Sequence, residues 1–191
     1  VFREGPMMAS SDKVLITLRG IGGHGAMPHG TADPVVAASS VVMALQTVVS
    51  RNVDPRQTAV VTVGVLSAGT ANNVIPDSAY LELSVRALQP EVRALLQSRI
   101  QDLVHAQAQS LGCTAHIDYQ SGYPALVNTL AETQLARDVA VALVGQERVV
   151  MQGPALTGSE DFAFMLQQRP GSYLLIGNGD GDDAGACMVH N

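Results

Sequence analysis

The sequence predicts an α/β protein whose first 120 residues run β-α-β-β-α-β. Three observations lead there: an alternating segment over 79–86, two long segments of helical character that each open on a proline, and short β-branched runs around them. The first run, KVLITLR over 13–19, passes into a glycine-rich stretch over 20–25 and reads as a strand followed by a loop. Asp33 and Pro34 then supply a side-chain cap and a proline at the first helical position, so a helix is expected from there to Arg51. Its apolar residues lie on most faces, which fits broad burial against a sheet. Valine-rich 58–68 and then 79–86, where Leu81, Leu83 and Val85 alternate with Tyr80, Glu82, Ser84 and Arg86, read as two antiparallel strands. Pro90 opens a second helix to about 111, with Val92, Leu95, Leu96, Ile100 and Leu103 at helical spacing and Gly112 at its end. A strand over 114–120 completes the order of the ferredoxin-like split arrangement, an open sheet with two helices on one face.

After Ser121 and Gly122 the composition changes. A helix is expected over 129–144, closed by Gly145, and a short one over 160–168, capped by Ser159 with Asp161 in its first turn. A strand over 172–176 then leads to a glycine and aspartate loop over 177–185. These are too few elements to close a sheet, so the tail either packs on the first unit or pairs with strands outside the chain. The 191 residues are 47% apolar and 15% charged, enough for a real core and too apolar for disorder. Eleven basic against 17 acidic residues, a net charge of −6 and no basic cluster argue against a nucleic-acid binder. Two cysteines cannot make a disulfide framework, which favours a reducing cytoplasm. The apolar stretch over 35–49 is broken by Ser39, Ser40, Gln46 and Thr47 and falls short of a membrane span, and no leader is visible. The chain opens on Val1 and stops just after a Cys-x-x-His, which suggests a piece of a longer protein.

Several short patterns bear on chemistry. Gly20, Gly22 and Gly25 satisfy G-x-G-x-x-G after a strand, but Pro28, His29 and Pro34 delay the helix until about Asp33, so no helix N-terminus would meet a pyrophosphate. His24 and His29 share the glycine-flanked loop GGHGAMPHG, where packing gives a histidine no reason to stand; the bland alternative is a solvated loop histidine. Asn73 lies in the loop between the two middle strands, and Arg86 follows one strand length later. Its guanidinium could hold a carboxylate by two parallel hydrogen bonds, or simply pair with Glu82 or Asp77. His190 follows Cys187 at Cys-x-x-His spacing and is the stronger metal-ligand candidate of the two. The Asp180, Asp182, Asp183 cluster lacks the rest of a calcium loop, His105 and His116 fall inside helix and strand patterns, and no G-x-S-x-G elbow surrounds Ser159.

Taken together, GGHGAMPHGTADPVVAA, NNVIPDSAYLELSVR, GSEDFAFML, PGSYLLIGNG and the final VHN resemble the two-metal aminoacylase and carboxypeptidase family, in its hippurate hydrolase and auxin-conjugate amidohydrolase branch. The resemblance implies a ferredoxin-like satellite that forms a homodimer, over 10–120, inserted into an α/β zinc-hydrolase catalytic domain of which 1–9 and 121–191 are fragments. It implies that His24 reaches an active site, across the dimer in relatives, and polarises the scissile carbonyl. By the same resemblance Asn73 supports the oxyanion, Arg86 binds the substrate's free carboxylate, and His190 is a metal ligand. His29 is expected to serve the loop's structure or to stand behind the residues that touch substrate, and the resemblance implies that 158–161 lies near the metal cleft.

The family's other metal ligands, its bridging carboxylate and its general-base glutamate fall on a segment preceding Val1. One histidine cannot fix two metals, so this chain alone is expected to be inactive and metal-poor. The expected parent activity is hydrolysis of N-acyl or N-aroyl amino acids with two divalent ions, zinc or else manganese, with no nucleic-acid or membrane partner. The alternative is a non-catalytic ferredoxin-like module that dimerises or binds a small ligand.

Overall fold

The computed structural model describes residues 1–177. The strands are β1 (Gly5–Met8), β2 (Asp12–Arg19), β3 (Gly23–His24), β4 (Ala59–Ala68), β5 (Val74–Ile75), β6 (Ser78–Ala87), β7 (Thr114–Ser121) and β8 (Leu126–Asn128). The helices are α1 (Pro34–Asn52), α2 (Pro90–Ser110), α3 (Leu130–Val144) and α4 (Phe162–Leu166), with single 3-10 turns at Pro28–Gly30 and Gln146–Arg148. The main sheet has the order β4-β6-β2-β7 with every neighbour antiparallel, the expected β-α-β-β-α-β topology.

Local chemistry sets the helix ends. Asp33 accepts the Val35 N–H at 2.8 Å and Pro34 sits at the first helical position of α1. α2 also opens on proline, and Gly112, at φ 73°, turns the chain after it. Both helices lie on one face of the sheet. Val14, Ile16 and Leu18 of β2 and Leu81, Leu83 and Val85 of β6 point into that layer, against Ala37, Val41, Leu45 and Val48 of α1 and Val92, Leu96, Ile100 and Val104 of α2. Burying each of these valine, leucine and isoleucine side chains contributes about 1.5–3 kcal/mol. By length and composition α1 could cross a membrane, although its sequence reads as too interrupted. Here its Ala37, Ala38, Val41, Leu45 and Val48 are buried, as in a core helix.

The opposite sheet face is polar. Lys13 pairs with Glu82 at 2.9 Å, and the Tyr80 hydroxyl donates to Glu82 at 2.8 Å. Arg86 leaves the same face, because it alternates with the buried Val85 and Ala87.

The remaining elements form a second cluster around Met7, Leu126 and Ala163, built on the antiparallel pair of β1 and β8. Two expectations fail here. Residues 172–176 do not form a strand: Val1 and Leu175 exchange hydrogen bonds at 2.7 and 3.0 Å, but Phe2 turns its N–H to the Val150 carbonyl, so no ladder continues. Nor does Ser159 cap a helix over 160–168. α4 starts at Phe162, with Asp161 already helical before it, and the Ser159 hydroxyl accepts from Arg86 instead.

The chain crosses between the two clusters twice. Ala9 N–H bonds to the carbonyls of Leu156 and Gly158 at 3.0 and 2.8 Å, and the next residue, Ser10, bonds to Ala87 at 2.8 Å. On the return, the buried Asp12 carboxylate accepts from Arg93 Nε at 2.9 Å, from Arg93 Nη2, from the Tyr119 hydroxyl at 3.0 Å and from Gly122 N–H at 3.1 Å. This fastens both crossings to the end of the main sheet. A Cβ on Gly122 would stand 2.2 Å from the Ser11 carbonyl oxygen, so only glycine fits there. Burial, then the Asp12 charge, push the Tyr119 phenol well above its ordinary range, and the hydrogen bond to Asp12 raises the Arg93 guanidinium.

Candidate active-site residues

His24 and Asn73 belong to one tip. β3 and β5 form a two-residue antiparallel ribbon in which His24 faces Val74 and Gly23 faces Ile75. Gly25 N–H donates to the Asn73 carbonyl at 2.8 Å, and Met27 N–H to the His24 carbonyl at 2.8 Å. The glycines have a packing reason: a Cβ on Gly22 would come within 2.8 Å of the Ile75 carbonyl oxygen, and one on Gly25 within 3.1 Å of the Asn73 backbone. Two loops can therefore lie against each other and hold an exposed histidine on a fixed support.

The ring itself is oriented. Ala26 N–H donates to His24 Nδ1 at 3.0 Å. Neutral imidazole has one acceptor nitrogen and one N–H, so the proton resides on Nε2, which is left as a donor. That suits a ring meant to donate to an oxygen that gains negative charge. Asn73, exposed beside it, brings an amide side chain of the same capability. His29 stands exposed on the 3-10 turn that follows.

Arg86 stands at the other end of β6. The strand from Ser78 to Arg86 covers eight steps, roughly 26 Å at 3.3 Å each, and the His24 and Asn73 tip lies beyond its beginning. Within one chain the three side chains do not meet. Neither suggested acidic partner takes Arg86: Glu82 is held by Lys13 and Tyr80, and Asp77 accepts from Ser78. Its Nη1 instead donates to the Thr157 carbonyl at 3.1 Å and the Ser159 hydroxyl at 3.3 Å. Both acceptors are uncharged, so a carboxylate arriving there would be a stronger partner. The resemblance implies for 158–161 only a position near a cleft; in the structure Thr157 and Ser159 are the acceptors against which Arg86 rests. Beside it, Tyr173 donates to Glu160 at 3.1 Å, and hydrogen bonds at Asp161 and Tyr173 hold the Glu160 carboxyl below its ordinary range.

His190 and Cys187, like the Asp180, Asp182, Asp183 cluster, lie outside the described residues. Among the described residues no group of three His, Cys, Asp or Glu could hold a metal ion, so they do not by themselves fit a metal pair.

A split antiparallel sheet thus carries a histidine tip at one end and an arginine at the other, and two crossings join it to a second, smaller cluster. Residues 10–111 match the peptidase dimerisation domain of the M20 family, and the chain belongs to that family. It is 39% identical over 180 residues to N-acetyl-L-cysteine deacetylase of Bacillus subtilis, covering 94% of this chain and 42% of the relative. It is 39% identical over 176 residues to hippurate hydrolase of Campylobacter jejuni, covering 92% and 46%. Among solved structures it is similar to the YXEP protein of Bacillus subtilis, described as a dinuclear metal-binding peptidase of the M20 family. That match has 30% identity and a TM-score of 0.71, covering 89% of this chain and 41% of the other. The chain thus spans somewhat under half the length of the curated relatives it matches.

Proposed function

We propose that this chain is the satellite-bearing part of a metal-dependent amidohydrolase that cleaves N-acyl or N-aroyl amino acids to a carboxylic acid and a free amino acid. Residues 10–120 are its satellite, and 1–9 and 121–191 belong to its catalytic domain. The observation that carries this reading is the His24 ring, whose Nδ1 is occupied by Ala26 N–H and whose Nε2–H is therefore presented from a fixed, exposed tip.

The enzyme works as a homodimer. Arg86 and the His24–Asn73 tip of one chain stand roughly 26 Å or more apart, too far for one small substrate, so each site takes Arg86 from one protomer and the tip from the other. Arg86 binds the substrate carboxylate and gives up Thr157 and Ser159 to do so. The partner's tip places His24 Nε2–H and the Asn73 amide on the scissile carbonyl oxygen, where they stabilise the charge that develops when water adds to the carbon. Removing one such donor typically costs about 10²–10³ in turnover. Two divalent ions, zinc or manganese, would rest on residues other than those described, His190 among them by resemblance.

The test is Arg86→Ala in the full-length protein, assayed on paired substrates that end in a carboxylate or a carboxamide. Loss of a charge-assisted pair is expected to lower kcat/KM for the carboxylate about 10- to 100-fold and to leave the carboxamide nearly as before. An unchanged ratio would overturn the assignment.

A further inference from the structure

We infer that Val74, with Met27 on the turn that follows His24, is the wall that reads the acyl group, and that the preferred substrates carry an apolar acyl group longer than acetyl. The inference rests on the reading of His24 as the donor to the scissile carbonyl. His24 and Val74 are directly opposed across the two-stranded ribbon, so their side chains leave the same face, with Cβ atoms about 4.5–5.5 Å apart. Met27 follows on the turn closed by its own N–H to the His24 carbonyl.

Neither residue serves the core. Val74 is 55% exposed and Met27 61% exposed, although both stand on a tip held rigidly by glycine contacts. Large apolar side chains fixed in that position beside a catalytic ring suit a surface covered by ligand. Val74 also lines a shallow groove of about 390 Å³ whose other walls include Thr70 and Asn72, so the apolar contact offered to a ligand is the valine itself rather than the groove.

The reach of the imidazole sets which acyl groups feel this wall. With the carbonyl oxygen about 2.9 Å beyond Nε2, the carbonyl carbon stands roughly 7 Å from the valine methyl groups. An acetyl group ends near that distance. A chain of about four or more carbons, or an aromatic ring, can lie back over Val74.

The experiment uses the full-length protein and three substrates of one amino acid, N-acetyl, N-hexanoyl and N-benzoyl. Val74→Ala and the near-isosteric Val74→Thr are compared with the parent for the ratio of kcat/KM between each long acyl group and acetyl. Both substitutions are expected to lower the hexanoyl-to-acetyl and benzoyl-to-acetyl ratios about tenfold, the scale of a methyl-sized contact in an apolar pocket. Ratios unchanged within twofold, or a fall equal for all three acyl groups, would overturn the inference. His24→Ala is assayed in parallel: if it retains full turnover, or if the parent cleaves none of the three, the reading of His24 fails first. A His24→Ala loss across all three, with unchanged Val74 ratios, removes only the acyl wall.

Discussion

Replacing Asp12 by asparagine is expected to destabilise the protein by about 3–5 kcal/mol, the cost of breaking a buried ion pair. The Asp12 side chain is almost wholly buried, and its two oxygens accept four hydrogen bonds from Arg93, Tyr119 and Gly122. Asparagine keeps one acceptor oxygen and turns an NH₂ toward groups that only donate or prefer to donate, and it leaves the Arg93 guanidinium, three-quarters buried, without its counter-charge. Hydrogen bonds to a charged group contribute about 1.5–3 kcal/mol each, so the sum exceeds the expected loss; relaxation of Arg93 toward solvent recovers the difference. In a protein of 150–250 residues or more, 3–5 kcal/mol lowers Tm by roughly 6–20 °C. Urea denaturation at pH 7 of parent, Asp12→Asn, Arg93→Met and the double variant measures both the loss and the coupling. A loss below 1 kcal/mol, or additive single losses, would refute the account of how the crossings are fastened.

The same cluster carries a pH dependence. Tyr119 titrates higher folded than its unfolded value near 10, so above about pH 10 the unfolded chain releases its proton first and stability falls, whereas below that pH the contribution is fully present. Urea midpoints are expected to drop more steeply above pH 10 in the parent than in Tyr119→Phe; equal slopes would contradict this. Gly122→Ala forces a Cβ against the Ser11 carbonyl and is expected to cost about 1–3 kcal/mol by denaturation, while an effect near zero would mean the crossing yields freely. Leu96→Ala, in the layer under α2, is expected to cost about 2–5 kcal/mol, and a loss below 1 would place that residue outside the packed core.

The main sheet was legible because its strands run 8 to 10 residues and Ser78–Ala87 alternates without a break. Asp33 and Pro34 announced α1 because cap and proline act locally. Nothing in the sequence announces β3 and β5: a two-residue ribbon has no periodicity, and only the glycines hint that loops approach each other there. The strand expected over 172–176 has the right composition, but among the described residues its backbone ladder reaches no further than Val1, and pairing is a property of partners rather than of the segment. Ser159 looks like a cap because its type is right; the structure gives its hydroxyl to Arg86, across 73 positions of chain. His24, Asn73 and Arg86 could be picked out singly, but their separation within one chain emerged only when β6 was seen to run its full length between the tip and Arg86. The orientation of the His24 ring required the Ala26 backbone, which no pattern of residue types specifies.

Complementation between two full-length variants asks most directly whether His24 and Arg86 of different protomers share one site. His24→Ala and Arg86→Ala, each weakly active alone, are unfolded, mixed in equal amounts and refolded. Half of the dimers are then mixed, and each mixed dimer holds one site with both side chains intact, so activity is expected to rise to about a quarter of the parent's. A mixture no more active than the mean of its two components would contradict the shared site.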